Sequence, residues 1–369
     1  MIEKPQFFQT ESELPNGAKK IDAIESAMCE LFFIENPTIR KDDPNLQQLQ
    51  DDYRAGRNIT GVWVYYPWKN IAVHIPSEDI YYRLRTARNR DLITEEEQLA
   101  YRNIKIGIGG LSVGSAVLST IVLTGGSKTI KIADPDIIEI TNLNRIRAKL
   151  TDVTENKSHV AAREVWELDP FTDLDVWDKG IEKDTIEKFI GGPKLDIFID
   201  EMDNIEMKIR SRLACRAQKI PVIMATSDGD NIIIDVERHD LQENYPIFHG
   251  NVAEEELLNM DQKQFVKMVV KIIDPRYFSE RHKKTVLSIG KTLAGAGQLG
   301  TAVTIAGAAM AFVVRQIAIK SDLPSGRYVL RCDEAFDPDY HSPTQEEKRW
   351  TEAKEFADRF GITIDKPIP

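Results

Sequence analysis

From Ile104 to Glu237, short β-branched runs alternate with helical stretches, and this rhythm constrains the fold more than any other feature. Strands are expected at Ile104 to Ile108, Thr129 to Ala133, Leu174 to Trp177, Leu195 to Ile199 and Pro221 to Ala225. Helices are expected at Ser115 to Leu123, Lys157 to Leu168 and Ile205 to Lys219. Continuous apolar strands separated by helices make a parallel sheet covered on both sides. The expected fold class is therefore α/β, a Rossmann-like, doubly wound, mostly parallel sheet with helices on both faces. Such sheets bind ligands at the carboxyl ends of their strands, where Gly109, Asp134 and Asp200 fall.

The flanks read differently. At 369 residues the chain exceeds one average domain, and residues 1–87 are expected to form a small α+β module. Ile21 to Phe33 reads as its helix, and Gly61 to Trp68 and Ile71 to Ile75 as strands around a Pro-Trp-Lys-Asn turn. Trp63, Tyr65, Tyr66 and Trp68 suit the core of a small domain, or a surface that grips an extended peptide. Thr94 and Glu97 have the spacing of a capping box. Residues 88–331 are expected to hold the main domain and 332–369 a C-terminal tail. Within the main domain, Asn231 to Glu237 reads as a strand, Leu241 to Ile273 as acidic and partly helical, and Arg276 to Lys284 as exposed. Leu293 to Val314 carries no charge over 22 residues, yet its many small residues favour a helix packed against a buried sheet over a bilayer span.

Composition narrows the partners. A net charge of −11 with no basic run argues against nucleic acid, and no membrane partner is expected. Cys29, Cys215 and Cys332 include no CxxC pair, which argues against a disulfide framework and a four-thiolate zinc site. Cys215 reads as a buried structural thiol. Met1 to Pro5 lacks the pattern of a signal peptide, and a cytoplasmic location is expected.

Three elements carry chemistry. The turn Gly107-Ile108-Gly109-Gly110-Leu111 can set backbone N–H groups and a helix N-terminus against phosphate, although Ser112 stands where a dinucleotide fingerprint has its third glycine. Asp134, at a strand end, can hold ribose hydroxyls of NAD or ATP alike, whereas Asp136 can hold ligand or cap the next segment. Asn142-Leu143-Asn144-Arg145 then brings a guanidinium that triphosphate chemistry uses and a dinucleotide site does not need.

With Lys157 and Asp200-Glu201-Met202-Asp203-Asn204, these motifs resemble the ThiF-type, ubiquitin-activating-like adenylyltransferases. That family includes the enzymes that activate sulfur-carrier proteins in thiamine and molybdopterin synthesis, and related peptide-modifying enzymes. The resemblance runs from about Arg88 to Glu237. It implies ATP and Mg²⁺ as cofactors, with no zinc expected. It implies nucleotide binding by Gly107, Gly109, Gly110, Leu111, Asp134, Asp136, Asn142, Arg145 and Lys157. Arg145, Lys157 and Asp203 would be catalytic, with Asp203 as the magnesium ligand. Arg88 or Arg90, which of the two being open, would reach the phosphates of a partner subunit in a homodimer. The implied reaction is formation of an acyl adenylate, with release of pyrophosphate, on the C-terminus of a small ubiquitin-like protein or peptide. In peptide-modifying members an N-terminal extension acts as a clamp, which residues 1–87 would match.

This chain departs from the family in having no CxxC and no cysteine between Ala225 and Arg331. Two other classes stay open on sequence: an NAD-dependent oxidoreductase, and an inactive scaffold half of an activating enzyme. Asp235, Glu237 and His239 alternate along one strand and read as a solvated face or as metal ligands. His249 is uninformative.

Overall fold

The computed structural model describes residues 2–57, 60–252 and 262–366. The N-terminal module is built from β1 (Gln6–Phe8), β2 (Lys19–Asp22), α1 (Ile24–Glu35), α2 (Leu46–Ala55), β3 (Gly61–Tyr66), β4 (Ile71–Pro76) and α3 (Glu78–Thr86). Its sheet has the order β1-β3-β4-β2. The β3–β4 hairpin forms where the turn residues place it, with Asn70 taking the left-handed conformation that asparagine tolerates. The expected helix start at Ile21 is instead β2, a short edge strand whose residues are all exposed and so give no alternation to read.

The aromatic run joins this module to the main domain. Tyr66 donates to the Trp166 carbonyl at 3.1 Å, Trp68 Nε1 to Glu167 at 2.7 Å, and Tyr81 to the Leu168 carbonyl at 2.8 Å. Trp63 and Tyr66 are buried, and Trp63 stacks on His74 with ring centroids 4.7 Å apart. These two rings therefore serve as core and joint and do not form a free peptide-gripping face.

After α4 (Glu95–Asn103), started by the Thr94 capping box, the main domain alternates as expected. Its elements are β5 (Lys105–Gly109), α5 (Val113–Leu123), β6 (Thr129–Ala133), α6 (Lys157–Leu168), β7 (Asp173–Trp177), α7 (Ile186–Gly191), β8 (Ile197–Asp200), α8 (Ile205–Ala217), β9 (Val222–Asp228) and β10 (Asn231–Glu237). Then come α9 (Gln262–Ile273), α10 (Glu280–Ser288), α11 (Gly300–Ala318), β11 (Gly326–Leu330), α12 (Cys332–Phe336) and α13 (Pro343–Arg359).

The seven strands are ordered β11-β10-β9-β8-β5-β6-β7, parallel from β9 to β7, with β10 and β11 antiparallel at one edge. From β5 the chain winds outward to β6 and β7, then returns to β8 on the other side, so the order reverses beside β5 and opens a crevice at the strand ends. α5, α6 and α11 cover one face through Val117, Ile121, Ala162, Ala306 and Met310, and α7 and α8 cover the other through Phe189, Met207 and Cys215.

The small residues of α11 let it cross α5 closely: a Cβ on Gly307 would lie 2.7 Å from the Ala116 carbonyl oxygen. By length and composition α11 could span a membrane, but half of its apolar window is buried in the domain. Cys215 is fully buried, and burial pushes its thiol pKa well up. Part of the stretch expected to be acidic and partly helical, 253–261, lies outside the described residues. Arg276 to Lys284 is not uniformly exposed, because α10 turns His282 and Lys283 inward. α13 seats Phe356 beside Ile233 and Val270.

Candidate functional site

The crevice is organised by the turn after β5. Gly110 has φ +87° and donates its N–H to the Ala133 carbonyl at 2.8 Å, and a Cβ there would lie 2.2 Å from the Glu201 carbonyl oxygen. Only glycine fits this approach of two strand ends. Asp134 then locks the turn, its two oxygens accepting the Leu111 N–H at 2.7 Å and the Asp136 N–H at 2.9 Å. Burial pushes its carboxyl pKa up, against the pull of the nearby Lys157 charge. Ser112 follows as the N-cap of α5 with no side-chain capping bond.

Two charged groups flank the turn. On the β6 side, Lys157, 9% exposed, pairs with Asp136 at 2.8 Å. On the other side, Arg145 donates from Nε to Ser112 Oγ at 3.3 Å and from Nη1 to the Thr141 carbonyl and Asn144 Oδ1, each at 3.0 Å. Burial disfavours its charge, while Asp203 and Glu139 favour it, so Arg145 and Asp203 share one electrostatic neighbourhood. The Asp203 carboxylate has no hydrogen-bond or ion-pair partner among the described residues and is exposed.

That free carboxylate fits a divalent cation whose other ligands come from phosphates and water, the usual manner of magnesium. No group of three or more His, Cys, Asp or Glu suited to a metal occurs among the described residues. Lys157, Asp136, Asp134, Gly110, Leu111, Arg145 and Asp203 are thus brought to one crevice.

Other expected residues stand elsewhere. Gly107 lies inside β5, where a Cβ would meet Leu195 at 2.4 Å and Phe189 at 2.9 Å, so it is a packing glycine and not part of a phosphate cradle. Asn142 is buried and its side-chain oxygen accepts the Glu139 N–H at 3.1 Å, so it shapes the loop presenting Arg145. Arg88 and Arg90 are exposed and without partner among the described residues. Asn89 between them bonds the Thr124 carbonyl at 3.0 Å, at the end of α5 opposite the glycine turn. An 11-residue helix is about 16 Å long, so neither arginine is near its own chain's glycine turn.

Asp235, Glu237 and His239 form neither a solvated face nor a metal site. Asp235 is clamped by Arg327 at 2.6 and 2.9 Å and by His249 at 2.9 Å, Glu237 pairs with Arg212 at 3.1 Å, and His239 bonds Glu237 at 3.2 Å. All three are buried. Glu201, named within its motif but given no role from the sequence, packs its side chain beside Gly114, accepts the Ala225 N–H at 2.7 Å, and is pushed by burial up to about 8. Its only signal in sequence is a second acid after Asp200, at the end of an apolar strand.

The sequence pattern of the ThiF family matches residues 86–352. The chain belongs to the ThiF family. This ThiF-family chain is 36% identical over 278 residues to the uncharacterized protein MT1398 of Mycobacterium tuberculosis, covering 74% of this chain and 38% of that one. It is 28% identical over 125 residues to the sulfur carrier protein ThiS adenylyltransferase of Escherichia coli, covering 34% and 48% of the two. With the ubiquitin-like modifier-activating enzyme 5 of Caenorhabditis briggsae it shares 23% identity over 160 residues, covering 41% and 36%. The chain thus spans about a third to a half of the length of these relatives. Among solved structures, E. coli MccB with ATP is similar at TM-score 0.47 and 18% identity, covering 84% of each chain. E. coli tRNA N6-threonylcarbamoyladenosine dehydratase, TcdA, with ATP is similar at TM-score 0.47 and 19% identity, covering 64% and 95%.

Proposed function

We propose that this ThiF-family protein is an adenylyltransferase that uses ATP and Mg²⁺ to activate a carboxylate, the C-terminus of a ubiquitin-like protein or peptide. The observation that carries the reading is the convergence of Arg145, Lys157 and an unpaired Asp203 on the glycine turn. Relatives named as a ThiS adenylyltransferase and a ubiquitin-like modifier-activating enzyme support it.

The residue types match the demands of the reaction. A carboxylate oxygen attacks the α-phosphorus, a P–O bond to the β-phosphate breaks, and pyrophosphate leaves with the electron pair. The nucleophile is already ionised at neutral pH, so no general base is required. The difficulty is bringing one anion to another, and preorganised positive charge is the remedy. Arg145 and the α5 N-terminus would neutralise phosphate oxygens, Lys157 would steady the polyphosphate, and the strand-end Asp134 would hold the ribose. Magnesium held by Asp203 would supply further charge neutralisation when bound.

Arg88 and Arg90 lie at the far end of α5 from their own chain's glycine turn, which supports a reading in which one of them serves a second subunit. Leu92 and Leu99 beside them are 85% and 57% exposed, and Ile140 and Leu150 near Arg145 are 68% and 71% exposed. Apolar side chains this exposed on both segments favour a homodimer that covers them. With no cysteine from Ala225 to Arg331, the acyl adenylate is the product handed on.

Calorimetry with ATP·Mg²⁺ and NAD side by side tests the nucleotide, with binding expected for ATP alone. Pyrophosphate exchange into ATP, driven by a panel of peptides with free C-termini, then tests the chemistry. Asp203→Ala and Arg145→Ala are expected to lower exchange at least 100-fold with unchanged circular dichroism. Binding of NAD in place of ATP, or normal exchange in both variants, would remove the assignment.

A further inference from the structure

Asp203 is held by a turn whose geometry depends on a buried charge cluster. The turn follows β8 and is anchored at three points. Glu201 N–H donates to the Gly109 carbonyl at 2.7 Å, Met202 N–H donates to Asp200 Oδ1 at 3.2 Å, and the Asn204 side chain caps α8 by accepting the Met207 N–H at 3.1 Å. Asp203 lies between the second and third anchors. The second is only as fixed as the Asp200 carboxylate, which is completely buried.

Two cations from one face of α8 hold that carboxylate, four residues apart as neighbours on a helix must be. Lys208 Nζ lies 3.3 Å from Asp200 Oδ1, and Arg212 Nη1 bonds Asp200 Oδ2. Arg212 is itself held on its far side. Its Nε donates to Glu237 at 3.1 Å, its guanidinium lies 4.1 Å from the Phe248 ring centroid, and Glu237 in turn accepts the Phe248 N–H at 2.9 Å. Burial alone would raise the Asp200 pKa, but Lys208 and Arg212 hold it below the usual range, so the cluster is charged.

Buried ion triads are a poor source of stability, because desolvation offsets most of the attraction and apolar replacements of similar size are often neutral. Its geometry has a different consequence: a guanidinium reaching two carboxylates on opposite sides fixes both in direction. We propose that Arg212, braced by Glu237, is the positioning residue for Asp203, acting through the Asp200 carboxylate and the Met202 N–H. The inference rests on Asp203 being the metal-facing carboxylate of a nucleotide site.

The test uses the full-length protein and Mn²⁺ as probe. Mn²⁺ affinity of the ATP complex is measured by electron paramagnetic resonance, and ATP affinity without metal by calorimetry. Arg212→Lys, which keeps the charge but cannot span both carboxylates, is expected to weaken Mn²⁺ about tenfold, the size typical of supporting-residue changes, while metal-free ATP affinity moves less than about twofold. Glu237→Gln, which leaves Arg212 paired to Asp200, moves in the same direction by less. Arg327→Gln, at the equally buried Asp235 cluster on the same strand, serves as a control that lowers thermal stability without shifting Mn²⁺. Wild-type Mn²⁺ affinity in both Arg212→Lys and Glu237→Gln would overturn the inference. Unchanged affinity in Asp203→Ala would overturn the underlying reading, so the two failures are distinguishable.

Discussion

Gly107 and Gly110, three residues apart, do different work, and substitution separates them. At Gly110 an alanine Cβ meets the Glu201 carbonyl at 2.2 Å in a backbone already at φ +87°, and neither strand end can retreat without dragging Asp203 or Asp134 with it. At Gly107 the obstacle is the side chains of Leu195 and Phe189, which can repack. Gly110→Ala is therefore expected to abolish ATP binding and to cost about 1–3 kcal/mol in strain. Gly107→Ala is expected to cost a similar amount through overpacking, yet to keep ATP affinity within about twofold in the folded fraction. Urea unfolding and ATP calorimetry on the two variants check this, and equal nucleotide loss in both would contradict the division of roles.

At the scale of elements, β10 carries its acids inward. Asp235 would have its pKa raised by burial, but hydrogen bonds from His249 and Arg327 hold it near 2, below the ordinary 3.8. A carboxylate with a depressed folded pKa contributes stability that is present above the ordinary value and is lost as pH falls through the folded one. Between about pH 5 and pH 2.5 the wild type should lose on the order of 2 kcal/mol more than Asp235→Asn, which has no such charge to titrate. Unfolding free energies at several acid pH values measure the difference, and parallel curves would remove Asp235 from the acid response. The same element explains why alternating acids misled the sequence reading. Alternation of polar and apolar residues signals a half-exposed strand, but the counter-charges arrive from Arg212 and Arg327, 25 and 92 residues away from their partners.

At the level of the whole molecule, the proposed homodimer, with Arg88 and Arg90 far from their own chain's glycine turn, makes shared sites a testable expectation. If Arg90 reaches the partner's nucleotide, Arg90→Ala and Arg145→Ala are each inactive alone. Mixed and re-equilibrated, they should recover about a quarter of wild-type exchange, since half of the dimers are mixed and each carries one intact site of two. No recovery on mixing, with dimers verified by light scattering, would place the arginine in its own subunit's site or outside the chemistry. Arg88→Ala in the same assay decides between the two arginines.

The alternating sheet was legible in the residues alone, because apolar periodicity, the Thr94 cap and the glycine turn are local signals that neighbours along the chain settle. β6, α6 and β10 run over the residues expected, or within one of them at their ends. Asp134 and Arg145 were legible from their places after a strand and in the following loop, whereas Lys157 and Asp203 entered through the resemblance to the ThiF-type family. Distant contacts settle that Gly107 packs against Leu195 and Phe189, that Gly110 lets two strand ends approach, that Asn142 closes its own loop, and that the aromatics before Lys69 join module to domain. The tertiary structure alone assembled Asp200, Arg212 and Glu237 behind the site. Each of these depends on which distant residue fills the space beside a side chain, and burial of that kind is a property of the folded surface and not of any window of sequence.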